Sequence, residues 1–375
     1  MFDETVDRKK INGEKWGRYE GKDIIPMWVA DTDFKAPQKI IDALHKRVEH
    51  GVFGYTEVDK ETNQAVVDFL NRHYNWKIES NWIVWLPGVV SGMNITCKSI
   101  DTKDVITTTP IYPHFVKAPE HAKQNVIKVP LIEKNNRWTI DFDSFESAIT
   151  STCKLFMFCN PHNPGGTVFT KDELEKLSQI CIKYDLIVCS DEIHADLILN
   201  PKAFHVPIAS LNKDILKRSI TLLAPSKTFN IAGLQSSYAV IPDVRLRKNF
   251  KRTLGNLTSQ INLLAIEATK SAYTECDEWL YQLRKYLMEN LKLLQDFVKD
   301  KPKLKLLNQD ATYLAWIDIS ALNLKNPYEY FLSHGIGISE GDRFGDKNFI
   351  RINFGTTKVL LKEGLKRFKK ALDSL

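Results

Sequence analysis

The stretch LFMFCNPHNPGG, at positions 155–166, decides the fold class of this sequence. Its first five residues form a continuous apolar run, which is typical of a strand buried on both faces of a sheet. Two Asn-Pro pairs and a Gly-Gly pair follow at once, and they predict a rigid turn that ends the strand. A buried strand with a polar turn at its carboxyl end is typical of parallel sheets, which bind ligands at that edge.

The same pattern repeats on both sides of this stretch. Short apolar runs alternate with helical patterns, and one helix is predicted over 171–184 by a capping-box motif at its start. The apolar runs lie at 82–86, 105–109, 155–159, 186–189 and 220–223. This alternation predicts an α/β fold with a mostly parallel, doubly wound sheet.

The pattern changes after about residue 259. Long helical stretches are followed there by short strands and a last helix, without strict alternation, which predicts a smaller α+β domain. The segment at 27–31 has no strand partner nearby in the sequence, and we expect it to join that domain. We therefore expect a large domain over 40–275 and a small domain built from both chain ends, residues 1–39 and 276–375.

The composition excludes several classes of protein. The chain has 375 residues, of which 43% are hydrophobic and 26% charged, as in globular rather than disordered proteins. Its net charge of +6 is spread along the chain, so we expect no nucleic-acid partner. No apolar run approaches the ~18 residues that cross a bilayer, and no signal-peptide pattern is present, so we expect no membrane association. Six cysteines without a Cys-x-x-Cys pair indicate a reducing, cytoplasmic location and no metal site.

Three strand ends have groups suited to binding an anion or a flat ring. The turn after 82–86 opens a helix whose N–H groups could bind an anion, although an ordinary Pro-Gly turn explains the same residues. Tyr112 follows 105–109 and could stack on a ring, although an aromatic residue at a strand end more often belongs to the core. Asn163 lies between the two prolines of the rigid turn, which can present its amide as a fixed hydrogen-bond donor.

Two further strand ends have an acid and a lysine. Asp191 follows 186–189, and a buried acid there needs a partner such as a cationic ring nitrogen, although it could simply cap a helix. Lys227 follows 220–223, and burial would lower its pKa and make it a nucleophilic amine suited to Schiff-base chemistry. A lone lysine is usually a surface residue. The occurrence of all these groups, in order, at successive strand ends favours a functional site.

Together these residues resemble the fold-type I enzymes that use pyridoxal 5′-phosphate, the aspartate aminotransferase superfamily. The resemblance covers nearly the whole chain and is closest to the cysteine-S-conjugate (cystathionine) β-lyase, or cystalysin-like, branch. The motifs that support this branch are MWVADTDF at 27–34, FGYT at 53–56, NPHNPGG at 160–166, SDEIH at 190–194, the segment at 224–234 and RIN at 351–353.

The resemblance implies a role for each candidate residue. Lys227 would hold the cofactor as a Schiff base and move the Cα proton of the substrate. Asp191 would pair with the pyridine nitrogen, Asn163 would bind the phenolic oxygen, and Tyr112 would stack on the ring. Arg351 would bind the α-carboxylate of an amino-acid substrate with a bidentate fork.

The resemblance also implies how the phosphate is bound. The backbone N–H groups of Val89 and Val90, together with Ser226, would hold it. Tyr55 would reach a phosphate from the partner subunit, which implies a homodimer with shared active sites.

Three positions depart from the pattern of the wider superfamily. His194 replaces a frequent tyrosine near the phenolic oxygen, so its role stays open. Gln235 replaces a frequent arginine on the phosphate, and Ala224 replaces a frequent serine. We therefore expect phosphate binding to depend more on the helix end and on Tyr55. His194 and Gln235 both fit the β-lyase branch.

The resemblance implies β-elimination from L-cystathionine or a related cysteine thioether, which gives a thiol, pyruvate and ammonia. An aminotransferase is the alternative, because it would use the same residues. A third hypothesis is a cofactor-binding regulatory protein. The sequence favours chemistry over regulation, since Lys227, Asp191 and Arg351 are all present and no separate DNA-binding domain is predicted before residue 27.

Overall fold

The computed structural model describes residues 2–9, 11, 13–255 and 257–375. Its strands are β1 (Ile25–Pro26), β2 (Ile83–Leu86), β3 (Asp104–Thr109), β4 (Asn125–Lys134), β5 (Arg137–Ile140), β6 (Cys153–Cys159), β7 (Ile187–Asp191), β8 (Ser219–Leu223), β9 (Ser237–Val240), β10 (Lys305–Leu306), β11 (Leu314–Asp318), β12 (Ile336–Gly337), β13 (Ser339–Glu340) and β14 (Phe349–Asn353). Its α-helices are α1 (Glu14–Gly17), α2 (Gln38–Glu49), α3 (Lys60–Tyr74), α4 (Val89–Ser99), α5 (His114–His121), α6 (Phe142–Ser147), α7 (Lys171–Lys183), α8 (Lys213–Leu216), α9 (Val244–Gly255), α10 (Leu263–Glu275), α11 (Asp277–Lys299), α12 (Pro327–Ser333) and α13 (Lys358–Asp373).

The largest sheet has eight strands in the order β2-β9-β8-β7-β6-β3-β4-β5. Strands β8, β7, β6, β3 and β4 are parallel to their neighbours in this series, whereas β9, β2 and β5 pair antiparallel. All five apolar runs form strands of this sheet, with ends that differ by one or two residues. The predicted mostly parallel α/β sheet is therefore confirmed.

The order of the strands reverses between β3 and β6. From β3 the chain crosses to β4 on one side, and from β6 it proceeds through β7 to β8 on the other side. Such a reversal leaves a crevice at the carboxyl ends of the two strands. The loops that leave them are joined there, because the N–H of Tyr112 donates to the carbonyl of Asn163 at 3.1 Å.

Strand β6 is apolar throughout because both of its faces are buried. Leu155 and Met157 pack into the apolar cluster on the side of helix α4, and Phe156 and Phe158 pack into the cluster on the side of α7. Burial of each such side chain contributes roughly 1.5–3 kcal/mol to folding. The continuous apolar run therefore follows from a strand that lies between two layers of helices.

Local sequence positions the helices beside this sheet. Helix α7 begins with a capping box, in which the Thr170 hydroxyl accepts from the N–H of Glu173 at 3.3 Å and the Glu173 carboxylate accepts from the N–H of Thr170 at 2.7 Å. In α4, a Cβ at Gly92 would lie 2.8 Å from Leu222 and 2.9 Å from Leu86. Glycine therefore allows α4 to lie close against the sheet.

A second sheet of four antiparallel strands has the order β10-β11-β14-β13. Beside it, β1 pairs in parallel with β12, and the N–H of Met27 donates to the carbonyl of Gly337 at 2.7 Å. Segments from the two ends of the sequence thus meet in one region. The division into residues 40–275 and residues 1–39 with 276–375 stays a prediction.

The six cysteines are all buried and free, as the sequence indicated. Burial raises the pKa of the Cys97 thiol to about 12, and the same cause raises that of Cys181 to about 12. Within the described ranges, no helix is both long enough and apolar enough to cross a membrane.

Candidate active site

A cavity of about 690 Å³ lies at the carboxyl ends of the parallel strands, where residues of β13 and β14 also reach it. Nine residues singled out from the sequence line this one cavity: Val89, Val90, Tyr112, Asn163, Asp191, His194, Ser226, Lys227 and Arg351. Tyr55 does not line it. Residues up to 262 positions apart in the sequence therefore meet in one cavity, as expected for ligand sites at the carboxyl ends of parallel strands.

Lys227 lies on the loop after β8, and its Nζ donates to the carbonyl of Ala30 at 2.9 Å. Asn230 joins this loop to the N-terminal segment, because its Nδ2 donates to the carbonyls of Phe34 at 2.7 Å and Thr32 at 3.0 Å. Burial is the largest influence on the pKa of Lys227 and lowers it. A buried amine with a lowered pKa is available as a nucleophile or a base.

Asp191 ends β7 inside the cavity, where it accepts from the N–H of Ile193 at 3.1 Å. Burial is the main cause that raises its pKa to about 7, and the charge of Glu192 also raises it. Glu192 itself binds other groups, because its carboxylate accepts from Ser190 at 2.8 Å and lies 2.7 Å from Nε2 of His205. Asp191 thus needs a cationic partner inside the cavity to stay charged.

Arg351 on β14 is buried beside Asn163. Its Nη1 donates to Oδ1 of Asn163 and its Nη2 to the carbonyl of Trp28, both at 3.0 Å, and its guanidinium lies 4.5 Å from the centre of the Phe344 ring. Burial lowers the pKa of Arg351 to about 10. Among the described residues, no carboxylate lies within 4.0 Å of it, and its Nε has no partner. A buried cation of this kind is suited to bind an anionic ligand.

The amide of Asn163 is oriented by this contact. Because a guanidinium has only donors, the amide must turn its Oδ1 towards Arg351. Its Nδ2 then has two donors for another group, and none of the described residues accepts from them. The role of Asn163 as a donor to a bound group stays a prediction.

His194 and Tyr112 are the two aromatic rings among the predicted residues that line this cavity. Burial lowers the pKa of His194 to about 3, so the imidazole is neutral. Its Nδ1 has no partner among the described residues, and its ring lies edge-on to Tyr313 at 6.2 Å. Tyr112 lies 5.1 Å from His114, centre to centre. A neutral ring with a free nitrogen is suited to a hydrogen bond with a bound molecule, and the role of His194 stays open.

The start of helix α4 also lies in the cavity. Val89 and Val90 are its first residues, and N–H groups of a first helical turn have no partner within the helix. Together with the positive helix end they can bind an anion. Ser226 and Gln235 line the same cavity.

Tyr55 lies apart from these residues. It is fully exposed and lines a separate cavity of about 910 Å³ with apolar neighbours that include Phe53 and Ile261. In a single chain, Tyr55 is therefore not part of the cleft that contains Lys227. Its predicted role requires a second subunit.

Sequence reasoning missed several residues of the cavity. Glu14, His114, Ser339, Arg343 and Phe344 line it as well. Four of them come from α1, β13 and the turn Gly341–Phe344, which belong to parts of the chain where no motif marked a strand end. The signal available in the sequence was their closeness to two marked segments, MWVADTDF and RIN.

Comparisons with known proteins extend these observations. The family model of the class I and II aminotransferases matches residues 22–368. Cystathionine beta-lyase PatB of Bacillus subtilis is 36% identical over 385 residues, which cover 99% of this chain and 99% of that protein. The crystal structure of OvoB is 42% identical with a TM-score of 0.98 and full coverage of both chains. Cystalysin from Treponema denticola, which contains a pyridoxal 5′-phosphate cofactor, is 33% identical with a TM-score of 0.96, over 100% of this chain and 99% of that chain.

Proposed function

Because the chain belongs to the class I and II aminotransferase family, we propose that it is a pyridoxal 5′-phosphate-dependent carbon–sulfur β-lyase. It converts L-cystathionine or a related cysteine thioether to a thiol, pyruvate and ammonia. The observation that carries this proposal is the cleft in which Lys227, Asp191 and Arg351 meet, in a chain with full-length similarity to a cystathionine beta-lyase.

The groups in the cleft fit pyridoxal 5′-phosphate. Asp191 needs a cation, which the pyridine nitrogen of the cofactor provides when protonated. Asn163 has free donors for the phenolic oxygen, and the start of α4 has free N–H groups for the phosphate. Lys227 has the amine that would hold the cofactor covalently. Tyr112 would contact the ring face.

When bound, pyridoxal 5′-phosphate withdraws electrons from the Cα of an amino acid and so stabilises the negative charge left by loss of the Cα proton. The residues of the chain bind the substrate and move the proton. Arg351 binds the α-carboxylate and orients the amino acid. The amino group of the substrate would displace Nζ of Lys227 from the cofactor, and the freed Nζ removes the Cα proton. Burial lowers the pKa of this amine and so favours the unprotonated form that can accept a proton. The electrons left at Cα then form a Cα–Cβ double bond while the Cβ–S bond breaks, and the sulfur leaves with that bond's electron pair as a thiolate, which takes up a proton. Water hydrolyses the released 2-aminoacrylate to pyruvate and ammonia.

The decisive experiment measures pyruvate. We expect the purified protein, supplied with its cofactor, to release pyruvate from L-cystathionine over many turnovers without an added 2-oxo acid, because β-elimination needs no amino acceptor. A lactate dehydrogenase assay follows the product. L-Alanine, which has no β-leaving group, is the matched control and should give no sustained release. If pyruvate forms only after addition of a 2-oxo acid, the protein is an aminotransferase and the proposal is wrong.

The proposed assembly is a homodimer with shared active sites. The cavity around Tyr55 supports it, because its lining includes the exposed Phe53 and apolar residues of α10, a surface that monomeric proteins rarely expose. In this assembly the hydroxyl of Tyr55 binds the cofactor phosphate of the partner subunit.

Co-expression of two inactive variants tests the sharing of sites. Tyr55→Ala and Lys227→Ala should each have low activity alone, but the mixed dimer contains one site with both native residues. We expect about a quarter of wild-type activity from random mixing of the two subunits. If Tyr55 acted within its own chain, the mixture would show no gain over the Tyr55→Ala protein alone.

We also propose a cytoplasmic location and the division of the chain into residues 40–275 and residues 1–39 with 276–375. Six buried free cysteines support a reducing compartment. The pairing of β1 with β12 supports a small domain that contains both ends of the chain.

A further inference from the structure

Two exposed side chains of opposite charge line the active-site cavity without a part in the mechanism above. Glu14 lies on α1, and Arg343 lies on the turn Gly341–Phe344. Neither forms an ion pair within 4.0 Å in the part of the chain that the structure describes, and they do not pair with each other. The rim of the cleft therefore presents one anion and one cation that are both available to a ligand.

Glu14 is on a short helix that buried contacts attach to the cleft. Its neighbour Lys15 is buried, and Nζ of Lys15 lies 2.9 Å from Oδ2 of Asp33. The indole N–H of Trp28, another residue of the cavity, donates to the carbonyl of Lys15 at 3.2 Å. The backbone at Glu14 is thus held at the rim, although its side chain is exposed.

Arg343 is on a turn that is held just as firmly. The carbonyl of Phe344 accepts from the N–H of Ile111 at 2.9 Å, and its ring packs under the guanidinium of Arg351. A side chain at Gly341 would collide with the backbone of Asp346. The turn therefore has a fixed position beside the residue that binds the α-carboxylate.

Both charges act at the same place in the cleft. The pKa of Tyr112 is raised, chiefly by burial, and Glu14 raises it further whereas Arg343 lowers it. The charge of Glu14 also raises the pKa of Lys227, and the charge of Arg343 lowers the pKa of Arg351. Because both side chains also line the cavity that contains Lys227 and Arg351, they border the space next to these two residues.

We propose that Arg343 and Glu14 bind the far end of the substrate, with Arg343 taking a carboxylate and Glu14 an ammonium group of the leaving thiol. The inference rests on the proposed lyase function and narrows its substrate class. Arg351 already serves the α-carboxylate of the cysteine half, so a second arginine on the rim serves a second carboxylate. The preferred substrates are thioethers whose leaving thiol is itself an amino acid.

Substrates with a single distal charge separate the two residues. We expect Arg343→Gln to lower kcat/KM roughly 2- to 5-fold for S-(2-carboxyethyl)-L-cysteine relative to S-methyl-L-cysteine, and Glu14→Gln to do the same for S-(2-aminoethyl)-L-cysteine. Each variant should have a much smaller effect on the other charged substrate. For L-cystathionine, each of the two variants should lower kcat/KM relative to that for S-methyl-L-cysteine. Lys347→Gln and Glu20→Gln, which remove exposed charges outside the cavity, are the matched controls.

Binding without turnover gives a second measurement. Titration calorimetry of L-cystathionine into the Lys227→Ala protein should show a Kd that rises by the same factor when Arg343→Gln or Glu14→Gln is added. If the wild-type enzyme releases pyruvate but neither the substrate ratios nor this Kd change, the distal subsite is wrong. If the wild-type enzyme releases pyruvate from none of these thioethers, the proposed function itself has failed.

Discussion

Replacement of Lys227 with alanine will abolish sustained pyruvate release from L-cystathionine, with a loss of at least about 10⁴-fold in kcat. In the proposed function, Lys227 provides both the covalent attachment of the cofactor and, once the substrate amine has displaced it, the base that removes the Cα proton. Asn230 fixes the loop of Lys227 against the N-terminal segment, where Nζ of Lys227 donates to the carbonyl of Ala30. Burial lowers the pKa of His194 in the same cleft to about 3, so its imidazole is a weaker base than that of an ordinary histidine.

The absorbance spectrum gives a second measurement of the same change. We expect the visible band of the lysine-bound cofactor to be absent from the Lys227→Ala protein. Lys213→Ala, which removes an exposed lysine at the start of α8, should leave both the spectrum and turnover unchanged. Persistence of either the band or sustained turnover in the Lys227→Ala protein would contradict the assignment of this residue.

Replacement of Asp191 with asparagine is the second large change. The carboxylate is buried at the end of β7, and a cationic ring nitrogen would be its partner. Loss of one member of a buried ion pair costs about 3 kcal/mol or more, which corresponds to a fall of about 10²-fold in kcat/KM. Asparagine keeps the size of the side chain, so the fold should persist while the ring loses its charged partner.

Two measurements separate this effect from a structural one. The thermal unfolding temperature of the Asp191→Asn protein without cofactor should equal or exceed that of the wild type near pH 7, because a pKa raised by burial means that folding disfavours the charge, and the neutral amide avoids this cost. The affinity for pyridoxal 5′-phosphate and kcat/KM should both fall. Asp172→Asn on the exposed first turn of α7 is the matched control. A kcat/KM equal to that of the wild type in the Asp191→Asn protein would contradict the proposed ion pair between Asp191 and the ring nitrogen.

The five strands of the large sheet that the sequence predicted are mostly buried on both faces, but burial alone was not sufficient, because the fully buried β9 was not predicted. Strand β6 is apolar throughout because helices cover both of its sides, and such a run is visible without a structure. The sequence did not reveal β4 and β5 at the sheet edge. Most of the side chains of β4 are exposed or half-buried, and Pro130 interrupts it, so its pattern is not apolar. Partial exposure at an edge removes the signal.

The cavity residues that could be predicted are those that lie at the ends of the predicted strands. Asn163, Asp191 and Lys227 directly follow buried strands, so their places in the cleft follow from the strand ends. Glu14 and Arg343 reach the cleft only through long-range packing of α1 and of the turn after β13. Such packing depends on contacts between distant segments, which a motif beside a strand does not encode.

The contact between Arg351 and the carbonyl of Trp28 joins residues that are 323 positions apart in the sequence. This has a consequence for the order of events during translation. The strand ends with Asn163, Asp191 and Lys227 are synthesised well before Arg351. With the roles proposed above, a nascent chain would contain most of the groups for the cofactor while it has no group for the α-carboxylate. Selection of amino acids would begin only after β14 has been made and has met the N-terminal segment, so recognition of the substrate would be the last property that the growing chain acquires.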